Sequence, residues 1–575
     1  MQVEKYLHRH EVLSARHGQA AVLEGLDEAE REVALEFLTH ARALRAIRAQ
    51  GDPAVPLRVL RQLQAWGGVT LVYRKPIENS PAWRLTQKKW PMRWPRGVTL
   101  LDEHQPLSID IDEYRRVCAI RLQRADEPQP LHLPARSVFV AAGTQPNAIV
   151  AGEFPGQFTT RDGYLASVHP RGAGTGPKSA HHDFFCRIEA DGRRISFVGD
   201  AHPAFAGNVV RAMASAKRAA PVIDAALRAL PPRPAGPDFT QFANELADRW
   251  QARVTACREL APGIIELAVR APSAARAFQP GQFYRLQNFE TLAGTTGNGP
   301  VGTRPGMEGL AMTGAWVERD SGVLGMIVLE SGASSDLVRR LRPGDPVVLM
   351  GPTGQPTEIV GGETVLLVGG GLGNAVLFSI GAALRAAGSN VLYLAAYRRN
   401  RDRFRIADIE AAADTVIWCV DEAPDFVAGR PGDAVFHGNV VQALLACRDR
   451  HLGQRPIRLA DIDRLIAIGS DRMMAAVAAV VRGELATTIK PNCRFIASIN
   501  SPMQCMMKEI CGQCLQWQQD PVSGRPRLVF SCNTQDQPML AVDFANLADR
   551  LAQNGAQEKQ ARQWLALQIS LNSTD

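Results

Sequence analysis

The stretch ETVLLVGGGLGNAVLFSIGAALRAAGSNVLYLAAYRR, Glu363 to Arg399, decides the fold of the second half of the chain. It holds an apolar strand at Val365–Val368, a glycine-rich turn, a helix at Ala375–Ala387 and a second strand at Val391–Tyr397. The candidate nucleotide-binding residues of the turn are Gly369, Gly370, Gly371, Gly373 and Asn374. Glycines let backbone amides approach a pyrophosphate, and the helix N-terminus adds positive potential. The stretch predicts a βαβ unit that binds a dinucleotide, with a purely structural turn as the alternative.

Two features further along the chain bear on the nucleotide. The acidic residue that usually ends the second strand is absent, and Arg398 and Arg399 stand there instead. An arginine at this position suits a 2′-phosphate, so NADP is favoured over NAD. Another strand, Leu465–Ile468, runs into the turn and helix of GSDRMMAAVAAVV. This second turn adds Gly469, Ser470 and Met473 to the candidate site.

Six short strands with turn residues between them precede the βαβ unit. Their close spacing predicts a small antiparallel β-barrel. The strands are expected at Val254–Cys257, Ile264–Arg270, Gln282–Leu286, Leu310–Val317, Val323–Glu330 and Pro346–Met350. After the fifth strand, the motif GASSDLVRRL places Gly332, Ser334 and Ser335 at a helix start.

Four of the ten cysteines fall in one short segment after the βαβ unit. They are Cys505, Cys511, Cys514 and Cys532, in a C-x5-C-x2-C-x17-C pattern. Four clustered thiolates suit an iron–sulfur cluster or a structural zinc ion. Zinc sites usually show paired C-x2-C knuckles, and only one is present here. The pattern therefore favours iron–sulfur, with zinc and unliganded thiols as alternatives.

The first half begins with a helical run and continues with scattered strands. Helical spacing of apolar residues starts at Leu26 and Asp27 and continues to Ile47. Strands are expected at Val69–Tyr73, Val98–Leu101 and Val117–Leu122, and a buried strand leading to a glycine turn at Arg136–Asn147. The segment Ile195 to Ala220 predicts a strand, then Gly199 and Asp200, then a helix. Such a unit suits a diphosphate or a flavin edge, because free amides at a helix start attract negative charge.

The bulk properties restrict the classes of partner and compartment. The chain has 575 residues and a net charge of +7, which permits anionic ligands without indicating a nucleic-acid partner. The N-terminus has charges where a signal peptide needs an apolar core. The most apolar segment, Thr364–Leu384, contains the glycine turn in its middle and is predicted to be buried rather than membrane-spanning. A cytoplasmic protein without a membrane span is therefore expected.

From Arg253 to Cys532 the chain resembles the ferredoxin–NADP reductase superfamily. Within that superfamily it is most similar to the electron-transfer subunit of the class 1B dihydroorotate dehydrogenases and to the alpha subunit of NADH-dependent ferredoxin–NADP oxidoreductases. The motifs PGQF, GASS, GPTG, VGGGLGNA and GSDRMM and the cysteine segment occur in the order of that family. The region that matches the family's flavin motif departs from it and reads RPGMEGLAMTGAW, Arg304 to Trp316.

This resemblance implies an electron relay. A nicotinamide would bind at Gly369–Asn374 and Gly469–Met473, and FAD would lie between barrel and Rossmann-like domain, with its diphosphate near Gly332–Ser335. A 2Fe–2S cluster on the four cysteines would pass single electrons to or from a partner protein. The resemblance supplies no catalytic carboxylate or histidine, so the catalytic residues are unknown.

The first half resembles the small subunit of glutamate synthase between Trp66 and Leu230, on VTLVYRK, VFVAAGTQPN and ISFVGD. That family begins with a G-x-G-x-x-G turn for FAD, and nothing before Trp66 has this pattern. The half is therefore expected to be a partial two-dinucleotide flavoprotein fold, which serves as a scaffold or is completed by a subunit or a missing N-terminal region.

Together these patterns predict a multidomain α/β and β protein. The expected segments are a helical N-terminus at 1–60, the partial FAD/NAD(P) domain at 61–230, a linker at 231–249, the FAD-binding barrel at 250–358, the NAD(P)-binding domain at 359–498, the 2Fe–2S domain at 499–540 and a helical tail at 541–575. The expected function is an iron–sulfur flavoprotein oxidoreductase using NAD(P)H. The alternatives are a non-catalytic assembly subunit with a structural metal and a fragment of a larger multi-flavin enzyme.

Overall fold

The computed structural model of the protein divides into two compact units, each described by itself below. The first comprises residues 1–105, 113–115 and 242–575, and the second comprises residues 106–112 and 116–241. The structure describes residues 2–80, 98–141, 146, 148–169, 181–207, 209–231, 236, 238–295, 304–453, 456–499, 505, 509, 511–520, 523–553 and 555–572.

Four helices open the first unit, and the third is the one that the apolar spacing predicts. They are Gln2–His17, Gln19–Glu24, Glu28–Arg48 and Val55–Ala65. The third helix starts with a capping box: the Asp27 carboxylate accepts a hydrogen bond from the Glu30 amide at 2.9 Å, and Glu30 accepts one from the Asp27 amide at 2.9 Å. Its apolar stripe, which includes Leu38 and Ala41, is buried in a cluster with Leu7. Two parallel strands follow, β1 (Val69–Val72) and β2 (Val98–Leu101).

The second unit holds three small sheets with the strand orders β3-β4-β5, β6-β7 and β8-β9. Their strands are β3 (His104–Ile111), β4 (Val117–Arg124), β5 (Leu131–Pro134), β6 (Thr160–Arg161), β7 (Tyr164–Leu165), β8 (Phe185–Ile188) and β9 (Arg194–Ser196). Helices Ile149–Glu153 and Val209–Arg228 complete it, and helix Phe239–Trp250, inside the predicted linker, leads out of it. The strand and helix predicted around Gly199 are confirmed.

The buried strand predicted at Arg136–Asn147 is wrong where the structure describes it. Residues 136–141 form no strand, and Phe139 and Val140 are 88% and 86% exposed. Residues 142–145 and 147 lie outside the described residues. An apolar run becomes a strand only where a neighbouring strand takes its hydrogen bonds, and the small sheets of this unit include no such neighbour among its described residues.

The predicted antiparallel barrel is confirmed. Its strands are β10 (Ala252–Ala261), β11 (Ile264–Arg270), β12 (Phe283–Asn288), β13 (Leu310–Glu318), β14 (Val323–Leu329) and β15 (Pro346–Thr353). They close in the order β10-β11-β14-β13-β12-β15, every pair antiparallel. Inward residues such as Leu267, Tyr284 and Met326 fill the interior. A short helix, Pro272–Ala277, precedes β12.

The predicted βαβ unit lies at the centre of a seven-stranded sheet ordered β19-β18-β17-β16-β20-β21-β24. Six strands are parallel: β16 (Thr364–Gly370), β17 (Asn390–Tyr397), β18 (Thr415–Val420), β19 (Ala434–His437), β20 (Arg464–Ile468) and β21 (Arg494–Ser498). The connecting helices are Asn374–Ala386, Ile406–Ala411, Val440–Arg448 and Asp471–Arg482. Apolar cores cover both sheet faces, as the continuously buried strands require.

The cysteine segment is attached to the edge of this sheet. It contains the hairpin of β22 (Leu515–Gln519) and β23 (Pro526–Phe530), and then β24 (Asp536–Pro538), which pairs antiparallel with β21. Helices Phe544–Leu551 and Gly555–Asn572 follow. The last helix, predicted only as a tail, packs between the N-terminal helices and the barrel: Gln560 donates to the Tyr6 carbonyl at 3.2 Å, and Arg562 pairs with Asp336 at 2.7 Å.

No helix among the described residues is both long enough and apolar enough to cross a membrane.

Candidate functional site

A cleft of 1040 Å³ lies between the barrel and the seven-stranded sheet of the first unit. Its sheet side is formed where β16, β17, β20 and β21 end, and its barrel side includes Phe283 and Ala311. The carboxyl ends of parallel strands are the usual place for ligands in such sheets, since the loops and helix N-termini there leave a crevice. The cleft is therefore the candidate nucleotide site.

Three of the predicted glycines, Gly370, Gly371 and Gly373, line the cleft directly. Gly371 has a φ of +54°, which favours a residue without Cβ. A Cβ on Gly373 would lie 2.1 Å from the Ile468 carbonyl oxygen, so the turn from β16 and the end of β20 approach each other as closely as their backbones allow. The following helix begins at Asn374, with its N-terminus at the cleft.

Gly369 and Asn374 support this turn from behind. Asn374 is fully buried, and its side-chain amide donates to the carbonyl oxygens of Gly371 at 3.0 Å and Ala396 at 3.4 Å. A Cβ on Gly369 would lie 2.0 Å from the Asn374 side-chain oxygen. The structure thus brings both predicted residues to the site, where they hold the turn in shape.

The second predicted turn faces the first. Gly469, Ser470 and Met473 all line the cleft. Ser470 caps helix Asp471–Arg482, its hydroxyl accepting from the Met473 amide at 3.2 Å. The Met473 methyl group would lie 3.0 Å from a Cβ on Gly370 and 2.3 Å from one on Gly469, so it covers both glycines.

The rim beyond β17 and β18 carries charges of both signs. Arg398, at the end of β17, lines the cleft as predicted, together with Arg472. Two carboxylates that the sequence reasoning missed, Asp402 and Asp421, line it as well. Asp421 directly follows β18, and this position at a strand end is the signal that identifies it.

The loop predicted for a flavin diphosphate meets the cleft through Ser331 and Ser335. The Ser335 hydroxyl accepts from the amides of Ser331 and Gly332 and donates to the Gly332 carbonyl, each at 3.0 Å. The Ser334 hydroxyl accepts from the Glu308 amide at 3.1 Å. Both hydroxyls therefore shape the loop, which continues into a 3₁₀ helix, Ser335–Arg340.

Two of the four predicted metal ligands, Cys514 and Cys532, are buried and in contact. A hydrogen bond between the thiols lowers the pKa of Cys514 and raises that of Cys532, so the pair gives up its first proton more readily than an isolated thiol. The charge of Cys505 also raises the pKa of Cys532, because the two residues are close. Cys511 is exposed, and its sulfur accepts from the Gln513 amide at 3.4 Å.

The fit of this segment to a metal is partial. The donor set is the one that iron–sulfur clusters take, and two of its sulfurs meet. Nevertheless, no three His, Cys, Asp or Glu side chains in the part of the chain that the structure describes are grouped to hold a metal ion. Residues 506–508 and 510, between Cys505 and Cys511, are outside that part.

One aromatic ring connects the cleft with the thiol pair. Phe283 lines the cleft and also packs in one buried cluster with Cys514 and Cys532, with Ala311 and Phe530 at its edge. The sequence shows this residue only as the last letter of PGQF. Alternation along β12 marks the face on which it lies, but no pattern in the sequence shows that the thiols lie against that face.

In the second unit, Gly199 and Asp200 lie on a short 3₁₀ helix, Gly199–Ala201. Gly199 has a φ of +75°, and its amide donates to the Ser215 hydroxyl at 2.6 Å. Asp200 is exposed. The amide predicted to face a diphosphate therefore already has an acceptor from within its own unit.

Comparison with known proteins finds relatives but no matching family model. An uncharacterized protein of Rickettsia prowazekii (strain Madrid E) is 26% identical over 535 residues, which are 93% of this chain and 61% of that protein. The chain thus spans less than two thirds of that relative. The dihydroorotate dehydrogenase B (NAD(+)) electron transfer subunit homolog of Thermotoga maritima is 26% identical over 305 residues, 52% of this chain and 90% of that one.

A shorter sequence match and a solved structure are also similar to parts of the chain. The probable dihydroorotate dehydrogenase B (NAD(+)) electron transfer subunit of Methanocella arvoryzae is 35% identical over 95 residues, 16% of this chain and 36% of that protein. A chain of the NADH-dependent reduced ferredoxin–NADP oxidoreductase structure has a TM-score of 0.43 and 23% identity, covering 54% of this chain and 96% of that one. About half of the chain is similar in sequence to a protein named as an electron transfer subunit homolog of dihydroorotate dehydrogenase B.

Proposed function

We propose that the protein is an NAD(P)H-dependent flavin and iron–sulfur oxidoreductase that exchanges electrons with a partner protein. The observation that carries this proposal is the position of Phe283. Its buried ring lines a dinucleotide-sized cleft and also packs against a pair of contacting thiols. The cleft is proposed to bind hydride carriers, and the thiols are suited to single-electron transfer. Because both contact the Phe283 ring, together they would form a compact electron relay.

Within the cleft, the proposed nicotinamide dinucleotide site consists of the two facing turns. Gly370, Gly371 and Gly373 would present their backbone to the pyrophosphate, and a Cβ on Gly371 would have nothing within 4 Å. Gly469, Ser470 and Met473 would complete the site from the opposite turn. At the rim, Arg398 is the proposed contact for a 2′-phosphate, which favours NADP over NAD.

The proposed flavin is FAD, held between the barrel and the sheet near Gly332, Ser334 and Ser335. When bound, it supplies the conversion between a two-electron hydride and single electrons. The chain's own contribution is orientation: the loop is stiffened by the Ser335 hydroxyl, and the cleft walls fix where the ligands meet.

For the cysteines, Cys505, Cys511, Cys514 and Cys532 are the proposed ligands of a 2Fe–2S cluster. Their spacing and the buried contact between Cys514 and Cys532 support this assignment. A structural zinc ion in a non-catalytic assembly subunit is the competing assignment. In the second unit, Gly199 and Asp200 remain a proposed flavin edge, to be completed by a subunit or a further segment.

The deciding experiment is the stoichiometry of iron, zinc and flavin on one anaerobically purified sample. The proposal expects one flavin and two irons per chain, with visible absorbance that bleaches on adding NADPH. Cys514→Ser should remove the iron, whereas Cys118→Ser, an exposed cysteine of the second unit, should not. Zinc without flavin and without NAD(P)H-dependent dye reduction would establish the assembly subunit instead.

A further inference from the structure

We infer that Phe283 is a positioning residue that keeps the flavin side of the cleft in packed contact with the cysteine site and so sets the rate of electron passage between them. This inference rests on the proposed function and deepens it. It begins from the unusual position of the residue, which is only 3% exposed yet belongs both to the cleft wall and to the thiol cluster.

The barrel backbone fixes where Phe283 points. The residue pairs with Thr313 of β13 on one side and Thr353 of β15 on the other, so its Cα is held from both directions. Successive residues of a strand face opposite sides. Tyr284 is buried in the barrel core, with its hydroxyl donating to the Ala274 carbonyl at 3.1 Å, and Phe283 therefore faces out of the barrel.

The cysteine segment is fastened to the same corner of the barrel. The buried side-chain amide of Gln535 donates to the Gly281 carbonyl at 3.1 Å and also to the Gln355 carbonyl. A Cβ on Gly354 would lie 2.9 Å from the Phe283 ring and 3.4 Å from the Cys532 carbonyl oxygen. Because Gly354, the second glycine of the GPTG motif, has no side chain, the Phe283 ring and the Cys532 backbone can lie close to each other.

This packing has a consequence for electron passage. A side chain smaller than phenylalanine would leave a gap between cleft and thiols, and atoms that face a gap lose their contacts outright. Electron exchange depends on the separation and packing between the two centres. Phe283→Ala should therefore slow passage to the cluster.

The first test uses metal-free, reduced protein and measures alkylation of Cys514 and Cys532 by iodoacetamide with mass spectrometry. Removing the ring should open the pair to the cleft and speed alkylation about tenfold, because thiol reactivity follows access. The matched control is Leu286→Ala, a fully buried residue on the same strand that faces the barrel core instead. Equal alkylation rates in Phe283→Ala and wild type, or an equal increase in Leu286→Ala, would overturn the inference.

The second test uses the loaded protein in stopped flow. With Phe283→Ala, electron transfer from the reduced flavin to the cluster, followed as a phase separate from flavin reduction by NADPH, should slow about tenfold, a change of about 1.4 kcal/mol in barrier. Phe283→Tyr keeps the ring and should restore the rate, and Phe283→Leu provides a milder variant if the alanine protein does not fold. Unchanged transfer in the leucine and alanine variants would refute the inference. A protein that binds neither flavin nor iron would refute the proposed function, and the alkylation test would still decide the role of Phe283.

Discussion

Gly373 is the residue of the first turn at which an added side chain would meet the backbone of the second turn. Changing it to alanine would place a methyl group 2.1 Å from the Ile468 carbonyl oxygen, so the two turns must separate. Since both turns are proposed to hold the dinucleotide, Gly373→Ala should weaken NADPH binding at least about tenfold, or 1.4 kcal/mol. Titration calorimetry can measure this. Gly432→Ala, at a glycine with nothing within 4 Å of the added methyl, is the control and should bind normally.

Arg398 is the residue proposed to make the site prefer NADP over NAD. Replacing it with alanine removes the cation expected to meet the 2′-phosphate, so the KM for NADPH should rise about tenfold while that for NADH stays the same. Steady-state dye reduction with each nucleotide measures the ratio. If the variant loses NADH and NADPH activity equally, Arg398 does not read the 2′-phosphate, and recognition by Asp402 and Asp421 of an unphosphorylated ribose becomes the better assignment.

His202 makes the second unit sensitive to acid. Its Nδ1 accepts from the Ala204 amide at 3.2 Å, and its Nε2 donates to the Asp183 carbonyl at 3.1 Å, an arrangement that requires the neutral ring. Burial lowers the pKa of His202 in the folded protein. Above about pH 6.5 the ring is neutral in both states and contributes no pH dependence. As the pH falls below that value the unfolded state binds the proton first, so stability falls until the folded-state pKa is reached.

Thermal unfolding of the full chain between pH 7.5 and 5 tests this expectation. The transition of the second unit should move to lower temperature as the pH falls, and His202→Gln should flatten this dependence. A dependence that survives the substitution would assign it to another group.

Among the elements, strand β11 and the loop before helix Ile406–Ala411 are joined by one carboxylate. Glu266 is buried, accepts from the Trp316 indole at 3.0 Å and pairs with Arg405 at 3.1 Å. Arg405 also lies 5.7 Å above the Trp316 ring. This contact joins a barrel strand to a loop of the domain that holds the seven-stranded sheet.

Glu266→Ala should lower the free energy of unfolding by about 2 kcal/mol, because the Trp316 indole N–H loses its acceptor and the partly buried Arg405 keeps only Asp408 as an acidic partner. Urea unfolding followed by fluorescence measures the change. Glu259→Ala removes an exposed partner of Arg339 on the same barrel and should change the unfolding free energy by less than about 1 kcal/mol. Similar losses in both variants would show that the carboxylate has no special role.

For the molecule as a whole, the C-terminal helix joins the two ends of the chain to the barrel. Gln560 is buried against the Tyr6 carbonyl, Lys559 pairs with Glu30 at 2.5 Å, and Leu565 packs against the barrel core. A chain ending at Gln553 should keep the barrel and sheet but expose the N-terminal helices to proteolysis. Limited trypsin digestion checks this, with Gln557→Ala, at an exposed position of the same helix, as the control that stays resistant.

The local patterns of the sequence predicted the barrel and the centre of the parallel sheet, but not helix Phe239–Trp250, where a linker was expected. Alternating short strands predicted the barrel, and one apolar strand followed by glycines and a helix predicted the centre of the parallel sheet. These predictions succeed because the period of a strand or a helix is visible in neighbouring residues. Burial of one face, or of both faces, decides which of those residues are apolar. They fail at Phe139 and Val140, where the residues are apolar but no partner strand is present among the described residues.

What the sequence by itself determined is therefore the set of chemical groups: glycine turns for a dinucleotide, an arginine at the rim and four thiols in one segment. Only the tertiary structure decided which of them meet. It set Gly369 and Asn374 behind the turn, added Asp402 and Asp421 to the rim, and placed Phe283 against Cys514 and Cys532. Phe283 and Cys532 are far apart in the chain, and their contact depends on the barrel closing and on Gln535 fastening the segment to it. Contacts of this kind arise from packing between elements, which no local spacing encodes.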